Sequence, residues 1–551
     1  MTKKLWLSVA MLAIGASLLV AAGLASPASS GVKAPQGKSK AGAVGGTMKI
    51  NLVSDTDYVD PALSYYTVGW ELEYATCMKL LNYPDKEAPA GSQLVPEAAT
   101  GFPKVSSNGK TYTFTIRPGI KSNTGETLTA ANYAAAINRD LNPKMQSPAG
   151  PFIRDIVGAE AVLDGKAATA SGVKASGNRL TVTLTKAAPD FLARIAMPFF
   201  CAIPKKLGIV PEGVNSLPSW GPYFVSARTP NRSIELTKNP NYKGSRPHNV
   251  NKIVYTVGVN QDASLLQIKN AQSDYAGDGL APTAYADLAA QYGVNKSQFF
   301  VKPELVFRYL ALNNDRPLFK GNASLRRAVA YAIDRPALNR QLGAYSGKRT
   351  DQMLPPGIPG FKDAALYPLK GSDYTTAKKL AAGKTKDGKA VLYTCNRTAC
   401  INTAQILQFN FKQIGIDLEV KQFARAVQFE KEGTRGEPFD VGYEGWAADY
   451  ADPFDFINIL LDGTTIRDTN NVNFSYFNDP AYNAKMAAAA KLSGAARYAA
   501  YGKLDIDISK NQSPLASWQN ANARLFVSKR VKNVIYNPVY GLSLAAVSLS
   551  G

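Results

Sequence analysis

Side chains able to do covalent chemistry are scarce here, and the scarcity decides more than their positions do. His248, in Arg246-Pro247-His248-Asn249, is the only histidine in 551 residues. A Ser-His-Asp or Cys-His nucleophile would have to use it, because such arrangements need an imidazole to take the nucleophile's proton. No Gly-x-Ser-x-Gly elbow and no cysteine lies beside it, so His248 reads as a surface loop residue. Neither a Cys-x-x-Cys nor a His-x-x-x-His spacing occurs, and zinc sites draw on such pairs. The run Gly343-Ala344-Tyr345-Ser346-Gly347-Lys348 has too few residues between its glycines for a phosphate-cradling loop. A carboxylate pair for glycoside hydrolysis stays open, since such pairs are matched in space and not in sequence. The expectation is a chain that catalyses nothing and holds neither metal nor cofactor, with a glycoside hydrolase as the remote alternative.

Four cysteines permit disulfides in an exported protein. Cys395 and Cys400 bracket Asn396-Arg397-Thr398-Ala399 between an apolar strand and a helix, a loop short enough to close, and are the candidate bridge. Cys77, in an apolar helical run, and Cys201, in Phe199-Phe200-Cys201-Ala202-Ile203, read as buried free thiols; whether they pair is left open.

Export itself is suggested by Lys3 and Lys4 before an apolar run from Leu5 to Leu24 and a small-residue stretch, Ala25 to Ser30. Residues 1–30 are expected to be a signal peptide, or an N-terminal anchor if the run is not cleaved. No cysteine follows the run to carry a lipid. Residues 31–46 are rich in Gly, Ala, Ser and Lys and read as a flexible linker. Net charge is +21, yet the basic residues look scattered, in pairs such as Lys205-Lys206 and Lys378-Lys379. Such scatter favours solubility over nucleic acid, for which no groove-tracking stripe is visible.

The length predicts two or three lobes. Strand and helix signals alternate, which argues for an α/β protein. Thr47 to Val53 is an opening strand and Trp70 to Leu81 a helix-like stretch. In Lys110 to Arg117, Tyr112, Phe114 and Ile116 alternate with polar residues as in a half-buried strand. Thr129 is placed to cap a helix with Tyr133, Ile137 and Leu141 on one face. Leu180, Val182 and Leu184 mark another strand, as do Ser233 to Thr237 and Lys252 to Val257. Leu325, Val329 and Ile333 share a helix face. A strand from Ala390, a helix from Ala404 stopping at Gly415, and a strand from Ile416 to Val420 predict a parallel βαβ unit.

Seven motifs in order then carry a resemblance: Val59-Asp60-Pro61; Leu94-Val95-Pro96-Glu97-Ala98-Ala99; Gly109 through Gly119, continuing to Ala130; Gly221-Pro222-Tyr223-Phe224; Asn239-Pro240-Asn241-Tyr242; Arg326 through Asp334; and Gly445-Trp446-Ala447-Ala448-Asp449-Tyr450-Ala451-Asp452-Pro453. In this order they resemble the extracellular solute-binding proteins of family 5, the oligopeptide-, dipeptide- and nickel-binding components of ABC importers. The resemblance implies a two-lobed, type II periplasmic-binding-protein-like α/β fold with an extra subdomain in the first lobe. By that pattern the first lobe takes residues 47–78, 198–305 and 515–551, the subdomain 79–197, and the second lobe 306–514. Two crossovers would form a hinge.

It implies further that an extended peptide lies between the lobes, held through its backbone and its charged ends. Asp449 matches the aspartate that pairs with the ligand's α-ammonium, against a competing role as a structural cap beside Asp452-Pro453. Gly445, Trp446 and Tyr450 would flank it, Trp446 either as a pocket wall or as lobe packing. Tyr66, Thr67 and Val68 occupy the stretch that offers backbone hydrogen bonds. Expected partners are a peptide or similar small ligand and ABC permease subunits, with the protein a monomer outside the cytoplasm. Nickel-chelate, opine or sugar binding, and a receptor-coupled sensor, remain alternatives.

Overall fold

In the computed structural model of the chain, residues 45–550 are described. The expected leader (1–30) and most of the linker (31–46) lie outside them. Among the described residues no helix is long and apolar enough to cross a membrane.

Two sheets organise the protein. In the first, the strands follow the spatial order Tyr275–Ala276, Thr47–Leu52, Lys252–Val257, Ser233–Lys238 and Tyr223–Thr229. Thr47–Leu52 runs parallel to its two neighbours, and the other pairings are antiparallel. Met48 and Ile50, two residues apart and so on one face, are fully buried with Ile234, Leu236, Ile253 and Tyr255. The second sheet has the order Gly347–Arg349, Leu515–Phe526, Phe299–Leu312, Val441–Ala447, Lys389–Cys395 and Asp417–Phe423. Lys389–Cys395 and Asp417–Phe423 are parallel and joined by the helix Thr398–Lys412, the predicted βαβ unit. Gly415, at φ +79°, makes the turn after that helix in the left-handed region open to glycine.

A smaller four-stranded sheet lies within residues 104–183. Its central strands, Thr111–Thr115 and Arg179–Thr183, place Tyr112 opposite Val182 and Phe114 opposite Leu180. Such apolar cross-strand pairs hold the register. The helix Ala130–Leu141 packs on it, entered by Thr129, whose backbone N–H donates to Asn132 Oδ1 at 2.9 Å.

Several of the sequence motifs prove to be joints. Asp60 is fully buried and takes both terminal nitrogens of Arg139, at 2.6 and 2.7 Å. Glu97 accepts from the Lys79 backbone and from Asn82. Asn239 donates to the carbonyls of Ser219 and Gly221. Arg326, buried, donates to Phe319 and Gln512. Each fixes a loop that would otherwise leave backbone groups unpaired.

The stretch Trp70 to Leu81 is only partly helical. The helix is Thr67–Thr76, after which the chain extends to pair Leu81–Asn82 with Val95–Pro96. The apolar run has no strong helical period because it is buried on every side. Within the extended part Cys77 is joined to Cys201, with 5.4 Å between their Cα atoms, which corrects the reading of both as free thiols. Cys395 and Cys400 are also joined, and both disulfides are buried.

Two long strands, Phe299–Leu312 and Leu515–Phe526, pair antiparallel along most of their length. At one end they form the centre of the second sheet. At the other, Phe299 and Phe526 pack with Ile268, Ala276 and Tyr285, and Val527 bridges Tyr275 at the edge of the first sheet. The pairing slips between Pro303 and Phe307, between the two ends.

Candidate functional site

In α/β sheets, ligands collect beyond the carboxyl ends of the parallel strands, where connecting loops converge on exposed backbone groups. Val441–Ala447 runs parallel to Lys389–Cys395, with Leu392 opposite Val441 and Tyr393 opposite Gly442. The loop leaving its carboxyl end carries Asp449, and the helix Phe454–Leu461 follows.

That loop is held from several sides. Arg497, on the helix Gly494–Asn511, clamps Asp452 with two hydrogen bonds at 2.5 and 2.8 Å, and both residues are buried. Ala448 N–H donates to the Leu305 carbonyl at 2.9 Å. Ala451 N–H donates to the Tyr83 hydroxyl at 3.1 Å, and the Tyr450 hydroxyl donates to Asp190 Oδ2 at 3.2 Å. The last two contacts tie the loop to residues far back in the chain.

Asp449 sits in this frame with 8% of its surface exposed. Both of its oxygens face the Tyr65 hydroxyl, at 3.0 and 3.1 Å. Its backbone N–H donates to Asp455 Oδ2 at 3.0 Å, and Trp446 Nε1–H donates to the same oxygen at 3.2 Å. Asp455 is fully buried in the first turn of its helix, where the helix dipole favours a carboxylate. Its Oδ1 has no hydrogen-bond partner among the described residues.

Two carboxyl groups therefore lie buried side by side, and no lysine or arginine among the described residues pairs with either. Burial pushes the Asp449 carboxyl up to about 7, against the Tyr65 hydrogen bond, which favours the charged form. Burial, and then the Asp449 charge, push Asp455 well above the ordinary carboxylate range. The Tyr65 hydroxyl is raised as well, by burial and by Asp449. What the arrangement lacks is a cation, and a positively charged guest would relieve it.

The residues singled out from sequence separate into groups. Trp446 and Asp449 meet through Asp455. Gly445 has ordinary clearance, since a Cβ there would stand 3.5 Å from the Phe307 carbonyl oxygen, so no close approach demands glycine. Tyr450 turns inward: it is fully buried against Phe152 and Asp190. Tyr66 is exposed, with its backbone N–H on Asp57 Oδ2 at 3.0 Å; Thr67 is exposed, and Val68 packs partly on the core of the first sheet. Sequence reasoning passed over Tyr65 and Asp455. Tyr65 adjoins the selected trio, and its neighbour Tyr66 has the same side chain; only the fold decides which hydroxyl reaches Asp449. Asp455 lies beyond the last quoted motif, which ends at Pro453, and only the fold brings it beside Asp449.

A sequence model of the bacterial extracellular solute-binding proteins, family 5, middle region, matches residues 93–468. The oligopeptide-binding protein OppA of Bacillus subtilis (strain 168) is 26% identical over 480 residues, spanning 84% of this chain and 85% of that one. Among solved structures, a clavulanic acid biosynthesis oligopeptide-binding protein superposes with a TM-score of 0.85 at 23% identity, covering 93% of this chain and 97% of the other. The periplasmic binding protein DppA of Helicobacter pylori, in complex with the peptide STSA, gives 0.72 at 20% identity, covering 92% and 99%. The fold is the two-lobed, periplasmic-binding-protein-like α/β fold.

Proposed function

Since the chain belongs to the bacterial extracellular solute-binding proteins of family 5, we propose that it captures peptides between its lobes and presents them to the permease of an ABC importer. Relatives named for oligopeptide binding support this reading, and so does one observation at the site. Asp449 is a buried carboxylate with a hydroxyl and no cation beside it, which is the complement of a peptide's α-ammonium. A charge-assisted contact in a dry gap is strong, because either partner left alone is a buried, uncompensated charge. Trp446 walls the pocket and is held in place by Asp455. The backbone N–H groups of Thr67 and Val68, in the first turn of their helix, lend hydrogen bonds that do not depend on ligand side chains, whereas the Tyr66 N–H and carbonyl are already taken by Asp57 and Trp70.

In this reading the first lobe comprises residues 47–78, 198–305 and the C-terminal end, with 79–197 its subdomain and 306–514 the second lobe. The boundary falls within the paired strands Phe299–Leu312 and Leu515–Phe526, which serve both lobes and act as the hinge. The protein works outside the cytoplasm as a monomer and returns its ligand unchanged.

Calorimetry with a peptide and its N-acetylated form tests the assignment. Asp449→Asn should weaken the free-amino peptide by about 3 kcal/mol, over a hundredfold, and leave the acetylated peptide at its own, already weak, affinity. Equal affinity of wild type and variant for the free-amino peptide would remove Asp449 from the site.

A further inference from the structure

The second lobe carries a basic surface at the end away from Asp449. Between Lys378 and Lys389 the chain places five lysines, Lys378, Lys379, Lys384, Lys386 and Lys389, with Asp387 the only acid. Read as a string they are a pair and a polar turn, so the basic residues looked scattered. Folding adds a sixth: Asn322 donates to the Lys384 carbonyl at 3.0 Å, which brings the Lys320–Asn322 turn against the Gly383–Lys386 turn. A depression of about 410 Å3 lies between the two turns, lined by Lys320, Lys384 and Lys386 and by no acid.

All six lysines are exposed, and none forms an ion pair among the described residues. The acids nearby are engaged elsewhere. Asp440 faces Arg316, Asp417 faces Lys412 and Glu419 faces Lys421; these three acids line, with Arg316, Lys386, Asp387 and Lys389, an adjoining depression of about 850 Å3, and Asp387 Oδ1 accepts the Lys389 backbone N–H. Six lysines against Asp387 leave the patch a net positive field on an already basic protein, and it attracts anions.

Its position separates it from the ligand gap. Lys389–Cys395 starts at the patch and runs toward the edge where Asp449 lies, and a seven-residue strand spans roughly 20 Å. Lysines are compact charges on flexible stems, suited to phosphate groups without fixed geometry. Because the lysines stand on both walls of a depression, a chain can thread between them where a flat bilayer reaches only the rims.

We propose that this end of the second lobe docks a phosphate-bearing polyanionic chain, leaving the ligand gap free. The probe is inorganic polyphosphate, titrated onto the full protein over a range of salt concentrations. The test variant is Lys320→Gln, Lys384→Gln, Lys386→Gln. The control, with equal charge loss, is Lys104→Gln, Lys144→Gln, Lys174→Gln, three exposed lysines in or beside the small sheet's region. The test variant should bind at least tenfold more weakly and lose about two from its log-log salt slope, with the control at wild-type affinity. Equal losses in both variants would reduce the effect to net charge and overturn the proposal. So would binding to phosphatidylglycerol vesicles that depends on the same three lysines in the absence of polyphosphate binding. Peptide affinity, measured on the same variants, should not move, so this outcome is separate from that of the ligand site.

Discussion

Near neutrality Asp449 is only partly ionised in the ligand-free protein, and a cation beside it completes the ionisation, which makes its occupancy a function of pH. Burial holds the group up to about 7 in the ligand-free protein. An α-ammonium favours the charged form, so binding below that pH must expel a proton. Affinity for a free-amino peptide should rise by up to about tenfold per unit between pH 5 and 7, level off, and fall beyond about 8 as the peptide's own amine is neutralised. Folding stability runs the other way. The contribution of a raised carboxyl is present in full below its ordinary value of 3.8 and is lost as pH climbs through about 7. Peptide should therefore stabilise the protein more at pH 8 than at pH 5, which thermal denaturation with and without ligand will show. Tyr65→Phe removes the one side-chain hydroxyl on Asp449 and should move the midpoint of the affinity profile to higher pH. An unchanged midpoint would mean that the hydroxyl does not stabilise the Asp449 carboxylate in the ligand-free protein.

Elements with a clean period could be read from sequence, and those buried all round could not. The strand around Tyr112, Phe114 and Ile116 alternates because one face is buried, and the unit from Lys389 to Phe423 shows its helix through Leu407 and Phe411, both fully buried. The run after Thr76 has apolar residues facing every direction, so helix and extended chain look alike until Cys77 meets Cys201. The lysine patch escaped for another reason, since Lys320 joins it through a turn contact across the fold. Gly221 shows what a motif can hide. A Cβ there would fall on the Thr76 carbonyl oxygen, so the glycine of Gly221-Pro222-Tyr223-Phe224 exists for close approach of two backbones. Gly221→Ala should cost roughly 1–3 kcal/mol in denaturant unfolding, from overpacking. Gly208→Ala, at a site with nothing within 4 Å, should stay within about 0.5 kcal/mol of wild type.

Across the whole molecule, and with the lobe division proposed above, a few polar contacts between residues distant in sequence would hold the closed form. Besides Tyr65 on Asp449, the Tyr83 hydroxyl accepts from Ala451 and the Tyr450 hydroxyl donates to Asp190. These contacts were invisible in the sequence, because each joins a loop residue to a partner more than 250 positions away. With the lobes and hinge proposed above, opening at the slip between Pro303 and Phe307 would break them while the paired strands stay joined. Tyr83→Phe with Tyr450→Phe keeps both rings and removes both hydroxyls. At about 1 kcal/mol per hydrogen bond, the open form should gain about 2 kcal/mol, roughly a thirtyfold shift in population. X-ray scattering should then give the ligand-free double variant a larger radius of gyration than wild type, returning to the wild-type value at saturating peptide. Peptide affinity should fall in proportion to the lost closed population, with Asp449 untouched. A variant as compact as wild type without ligand would mean that apolar packing of the loop, and not its hydroxyl contacts, holds the lobes together.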